Sequence, residues 1–288
     1  MTPGHIAAAA QLACLLEASA PKPGNVSPGR SFGDASYEDF LASAAAIGEP
    51  LAAAGCRPLG ATIRAAVEAT ARWTRSNTNL GMVLLLAPLA RAAHATRPLR
   101  DSVRHELEAT TVDDAREVYA AIRLAAPGGL GRAADHDVAG EPTVTLLDAM
   151  RLAADRDGIA REYATAFETT FGLAAPALGR ARADGLSWSD ATVEVFLTLL
   201  AAAPDTHIVR RGGAGLAAEV SARAAAVLSA GGVRSEQGRA ALAEMDRALR
   251  DERHLANPGT SADLTAAAIF VVLLDTMHSQ GAQHAGAR

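Results

Sequence analysis

Apolar positions recur along most of this chain at i, i+3, i+4 and i+7, in alanine- and leucine-rich stretches of about 12 to 20 residues interrupted by Gly and Pro. That spacing puts one apolar stripe on a helix. It predicts helices near 5–19, 36–54, 58–75, 79–95, 111–125, 142–155, 158–171, 188–202, 214–230, 234–251 and 261–278. Period-two alternation is nearly absent and aromatic residues are only 4% of the chain, so a sheet has little to be built from. The expected fold class is all-α. Start signals agree with the boundaries: Ser36 precedes Asp39, Ser187 precedes Asp190, and Ser261 stands near the start of the last helix. Asp113 and Asp114 behind Thr110 and Thr111 read as first-turn acids of a capped helix. Neither a linker nor a repeat divides the sequence, so one compact multi-helix domain over 1–288 is expected. The longest Gly-rich polar stretch without helical character, APGGLGRAADHDVAGEPT at 126–143, fits a functional loop, a lid or a plain connection.

Hydrophobic residues at 49% against 20% charged exclude a disordered chain. With 27 Lys and Arg against 32 Asp and Glu, the net charge is −5, which provides no general field for nucleic-acid phosphates. The longest apolar runs, Gly81 to Ala90 and Leu264 to Leu274, fall short of the roughly 20 residues a bilayer span needs. No membrane segment is expected. The first residues lack a basic stretch followed by an apolar one, and Cys14 and Cys56 make no disulfide framework, which points to the cytoplasm.

One asymmetry is more informative. Arginine has replaced lysine almost everywhere, as a GC-rich coding background would favour, yet Lys22 remains; the only asparagines are Asn25, Asn77, Asn79 and Asn257. All five fall in three short segments, PKPGNVSPG at 21–29, SNTNLG at 76–81 and NPGTSADL at 257–264. Asparagine suits caps and turns for purely local reasons. A retained lysine needs another explanation, and a compact ammonium facing phosphate or substrate oxygens is one. Two further polar islands are SFGDASYED around Asp34 and PDTHIVRRGG at 204–213. Together the five islands supply a lysine, paired arginines, backbone-exposing glycines, amides, and carboxylates at Asp34, Asp205 and Asp263. That set suits a polyphosphate with Mg²⁺. No Walker loop or dinucleotide fingerprint is present, so a nucleotide site would be of another kind.

In their order and spacing, PKPGNVSP, the following Asp34, SNTNLG, DTHIVRRGG and NPGTSADL resemble the motifs of the triphosphoribosyl-dephospho-CoA synthase family, the CitG and MdcB proteins. The resemblance spans nearly the whole chain. It implies an all-α enzyme that transfers the 5-triphosphoribosyl group of ATP to the 2′-hydroxyl of 3′-dephospho-CoA and releases adenine. Position by position it carries over Lys22 and Gly24; Asp34; Asn77, Thr78 and Gly81; Asp205, Thr206, Arg211 and Gly212; and Pro258, Gly259, Ser261, Ala262 and Asp263. Two departures stand out: Asn79 and Leu80 replace a His–Lys pair, and Asn25 replaces a leucine. The resemblance implies Lys22, Asp34 and Asp263 as the catalytic group, with Asp34 as general base. It implies that Lys22 and Arg211 anchor the triphosphate, and that Asp205 or Asp263 holds Mg²⁺. Asn77 or Asn79 would bond the purine or sugar, while Gly24, Asn25, Thr78, Gly212, Asn257 and Ser261 complete the nucleotide site.

The departures also admit a ribosyl-phosphate transferase acting on another alcohol, such as a pterin precursor, or a helical binding protein without catalysis. Small-molecule substrates are the expected partners, and alanine-rich helices are compatible with a homodimer. Asp135, His136 and Asp137 read as solvated loop polarity, because adjacent residues seldom converge on one metal ion. His94, His105, His254 and His278 receive no role, and Trp73 and Trp188 read as core or interface packing.

Overall fold

The computed structural model describes residues 1–128, 137–251 and 253–286; Asp135 and His136 lie outside these. In chain order the helices are α1 Pro3–Ser19, α2 Tyr37–Ala46, α3 Gly48–Ala52, α4 Leu59–Ala71, α5 Leu80–Ala92, α6 Leu99–Glu108, α7 Val112–Ala125 and α8 Leu146–Ala153. They continue with α9 Gly158–Ala164, α10 Ala175–Ala183, α11 Trp188–Ala202, α12 Thr206–Gly212, α13 Ala214–Ser229, α14 Glu236–Leu249 and α15 Gly259–Gly286. Among the described residues there is no strand, only an isolated bridge between Ser27 and Arg30. The fold is all-α, as the periodicity predicts.

The capping signals do their local work. Ser36 accepts from the Asp39 N–H while Asp39 accepts from the Ser36 N–H, and Thr111 and Asp114 repeat the arrangement at α7. Asp114 Oδ1 also accepts the Gly60 N–H at 2.8 Å, tying α7 to its neighbour α4. Ser187 caps α11, whereas α15 starts two residues before Ser261, whose hydroxyl is used elsewhere.

Two predicted spans are broken. The 36–54 span breaks at Ile47, and Gly48 restarts it where the Gln11 amide packs too closely for any Cβ. The 158–171 span ends at Ala164, because Ala166 and Phe167 take left-handed φ of 50° and 61°. That turn is held by Glu162, fully buried, which accepts the Thr169 and Thr170 N–H groups at 3.0 and 2.9 Å. Helices α6, α10 and α12 lie outside the predicted spans; α6 buries only Ser102, Val103 and Leu107, too few to show a stripe.

The core divides into two apolar clusters. The larger joins α1, α4, α5, α7 and α15; the smaller joins α11, α13 and α14. Helices α11 and α15 contribute to both. By length and composition alone, Gly259–His278 and Ala214–Arg234 are apolar enough to cross a bilayer, which corrects the run-length estimate made from the sequence. For α15 the apolarity has a structural cause, since it is packed by α1, α5, α10 and α11. Trp73 is 72% exposed and joins no core, which leaves the interface half of that expectation; Trp188 lies half-buried with the Arg182 guanidinium 4.7 Å above its ring.

Candidate active site

A cavity of about 860 Å³ opens where the N-termini of α5, α9 and α15 meet the loop 20–36 and the C-terminal turn of α12. Lys22, Asn25, Asp34, Asn77, Thr78, Asn79, Arg211, Asn257 and Asp263 all line it, so segments far apart in sequence converge on one space. Gly24, Gly212, Asp205 and Ser261 do not line it. Three lining residues that the sequence reading passed over are Glu17, Asp157 and His207, and Arg210, the partner of Arg211 in the arginine pair, lines it too.

Each predicted residue has a definite local task. Lys22 is 1% exposed; its ammonium pairs with Glu17 Oε1 at 2.9 Å and donates to the carbonyls of Glu17 and of Ala20, the latter at 3.3 Å. Its three donors are thus engaged within the protein. Gly24 stands at φ +76° with its N–H on Asp246 Oδ1 at 3.0 Å, and Leu249 and Pro258 would crowd a Cβ at 3.1 to 3.3 Å. Asp34 is exposed at the rim, where its carbonyl accepts from the Ser76 hydroxyl. Asn77 is also exposed and caps α5 through the Leu80 N–H at 3.1 Å. The Thr78 hydroxyl pairs with Ser43, and Asn79 Nδ2 donates to Thr70 Oγ1 at 3.0 Å, so both side chains are committed to α2 and α4. Arg211 is exposed and donates to the Arg253 carbonyl at 3.0 Å, while Gly212 closes α12 against Leu216.

Asp205 joins two helices. Its Oδ1 accepts the His207 and Ile208 N–H groups at 2.8 and 3.1 Å, and its Oδ2 accepts the Ser261 N–H and Oγ–H at 2.7 and 2.8 Å. Ser261 is therefore half of that clasp. Asp263, two residues on, accepts no hydrogen bond from the described residues. It packs against Gly81 at the start of α5 so closely that a Cβ there would overlap its Oδ2. Burial, followed by the charges of Glu17, Asp205 and Asp157, holds its carboxyl well above the usual carboxylate range, with Arg210 opposing. Burial likewise raises Glu17, against the pull of Lys22, and raises the Cys14 thiol between Glu17 and Asp263.

The cationic side is built by α12. Arg210 pairs with Asp157, the N-cap of α9, and its buried Nε has no partner; Arg211 is next to it. His207 Nδ1 lies 3.1 Å from the Asn257 carbonyl, which can only accept, so Nδ1 carries the proton. Burial lowers the His207 pKa, Asp205 opposing and the two arginines reinforcing, so the neutral ring presents a bare Nε2. Among the described residues no group of three His, Cys, Asp or Glu could hold a metal ion.

The family model for ATP:dephospho-CoA triphosphoribosyl transferases, CitG, matches residues 3–281. A Pseudomonas putida protein named 2-(5″-triphosphoribosyl)-3′-dephosphocoenzyme-A synthase is 40% identical over 116 residues, 40% of each chain. A Klebsiella pneumoniae protein of that name is 40% identical over 100 residues, 34% of this chain and 35% of its own length. The matched segments thus span well under half of these relatives. The crystal structure of an Archaeoglobus fulgidus protein described as a triphosphoribosyl-dephospho-CoA synthase superposes with a TM-score of 0.64 at 29% identity, covering 81% of this chain and 98% of that one.

Proposed function

The chain belongs to the CitG family of ATP:dephospho-CoA triphosphoribosyl transferases, and we propose that it moves the 5-triphosphoribosyl group of ATP to the 2′-hydroxyl of 3′-dephospho-CoA with release of adenine. The observation that carries this reading is the pairing, in one cavity, of a hydrogen-bond-free carboxyl at Asp263 with the Arg210–Arg211 cations. In the reaction the C1′–N9 bond of the nucleoside breaks as a bond from C1′ to the acceptor oxygen forms. The acceptor hydroxyl loses a proton and departing adenine gains one, so one net proton passes from alcohol to base.

Asp263 is suited to accept the hydroxyl proton. A carboxylate raised by burial and like charges is a stronger base than one solvated at the rim, as Asp34 is. Arg210, Arg211 and the open N-terminal turn of α5 at Gly81 and Met82 supply the anchor for the triphosphate. Lys22 contributes by neutralising Glu17 below them. Both Asp205 oxygens are engaged twice, and among the described residues no group of three metal-ligating side chains is placed to hold Mg²⁺. Mg²⁺ would enter with ATP, held chiefly by phosphate oxygens and water. Such a substrate pair is consistent with a cytoplasmic enzyme.

The test is direct. Incubated with ATP, Mg²⁺ and 3′-dephospho-CoA, the protein should release one adenine per triphosphoribosyl product, resolved by chromatography. No adenine above a heat-denatured control would overturn the reading.

A further inference from the structure

Two loops, 20–36 and 250–258, form one wall of the cavity and are joined across it by two pairs of side chains. Asn25 Nδ2 donates to Asn257 Oδ1 at 2.6 Å, and the Phe32 ring stacks on His254 with centroids 4.0 Å apart and planes inclined by 23°. All four residues line the cavity. The wall is held from behind: Arg250 donates to the Asn25 carbonyl at 2.9 Å, and the Asn257 carbonyl accepts from His207. His254 itself sits at φ 49°, a left-handed conformation costly for a residue with a Cβ.

Within this wall Asn25 is 7% exposed, and its Oδ1, closed to water by its neighbours, has no hydrogen-bond partner. A buried amide oxygen left unpaired costs free energy that a nearby donor would recover. Asn257, its own amide oxygen taken by Asn25, keeps its Nδ2 hydrogens. The pair therefore carries one unmatched acceptor and one unspent donor, next to a flat aromatic wall.

We infer that the Asn25–Asn257 amide pair is an adenine-reading subsite, with the Phe32–His254 rings as the wall against which the base lies. The adenine 6-amino group donates to Asn25 Oδ1 while N1 beside it accepts from Asn257 Nδ2, an amide-to-adenine complementarity on the base's Watson–Crick edge that parallels the reading of its N6/N7 edge in other settings. Hypoxanthine reverses both groups: its O6 faces Asn25 Oδ1, and its N1–H faces the Asn257 amide hydrogens. The assignment deepens the proposed function, because both substrates of that reaction carry adenine. It places purine recognition on a different amide pair from Asn79, whose Nδ2 donates to Thr70, and from Asn77, whose Oδ1 caps α5.

Calorimetry with two matched pairs, ATP against ITP and 3′-dephospho-CoA against its inosine analogue, tests the subsite and identifies which substrate supplies the base. The wild-type protein should favour the adenine member of one pair by about tenfold or more. Asn25→Leu should reduce that preference to within about twofold. If this variant loses its helical circular dichroism, Asn257→Ala reads the same quantity. Equal binding of both members of each pair by wild type, an undiminished preference in the folded variant, or no binding of any of the four would overturn the inference. An intact base preference without adenine release would remove the proposed reaction and leave the subsite standing.

Discussion

The clasp joining α12 to α15 and the cavity floor beneath α5 each centre on an aspartate, Asp205 and Asp263, and Ser261, which closes the clasp, stands two residues before Asp263 on α15. At the clasp every carboxylate oxygen is doubly engaged, and two of the four donors are backbone N–H groups of the turn that Asp205 caps. On the floor Asp263 has no donor and is surrounded by Glu17, Asp157 and Asp205. The same side chain thus fixes helices together in one place and is held poised for proton transfer in the other. The difference lies in what surrounds each carboxylate, since the residue type is the same.

The strongest way to break this comparison is Asp263→Asn. Turnover should fall by about 10³-fold, roughly 4 kcal/mol. Because the folded state holds the Asp263 proton more tightly than the unfolded state, its contribution to stability is present in acid and is lost as pH rises through the raised pKa. At neutral pH the variant should therefore melt no lower than wild type; a large drop in Tm would assign Asp263 to the scaffold. Next in size, Lys22→Met should cost about 3 kcal/mol in urea unfolding by leaving Glu17 buried without its counter-ion. The double variant Glu17→Gln, Lys22→Met should recover most of that loss. Failure to recover would show that Lys22 acts through something other than its pairing with Glu17. The smallest effect is expected at a cap remote from the cavity: Thr111→Ala should lower stability by about 1 kcal/mol and leave kcat/KM unchanged.

The all-α class was legible because the apolar stripe persists over most helices, and the capping boxes at Ser36 and Thr111 could be read from four residues each. Helices α10 and α12 were not legible, being nine and seven residues long with little room for a stripe. Rare lysine and asparagine residues did mark segments that share the cavity. Their individual tasks depended on partners remote in sequence, such as Ser43 for Thr78 and Asn257 for Asn25. Glu17 left a signal that composition could not reveal: it continues the buried stripe Ile6, Ala10, Ala13 and Cys14 of α1, where a carboxylate requires a counter-charge. Asp157 and Arg210 read as an ordinary helix cap and one half of an arginine pair until α9 and α12 were brought side by side.

The pocket around the Lys22 ammonium also limits which residues position 22 can hold. Three oxygen atoms from a single turn of chain surround a tetrahedral donor, so a planar guanidinium with five hydrogens would leave donors unanswered in a space closed to water. A genome that writes arginine wherever a positive charge will do meets here a position where the exchange is forbidden by shape.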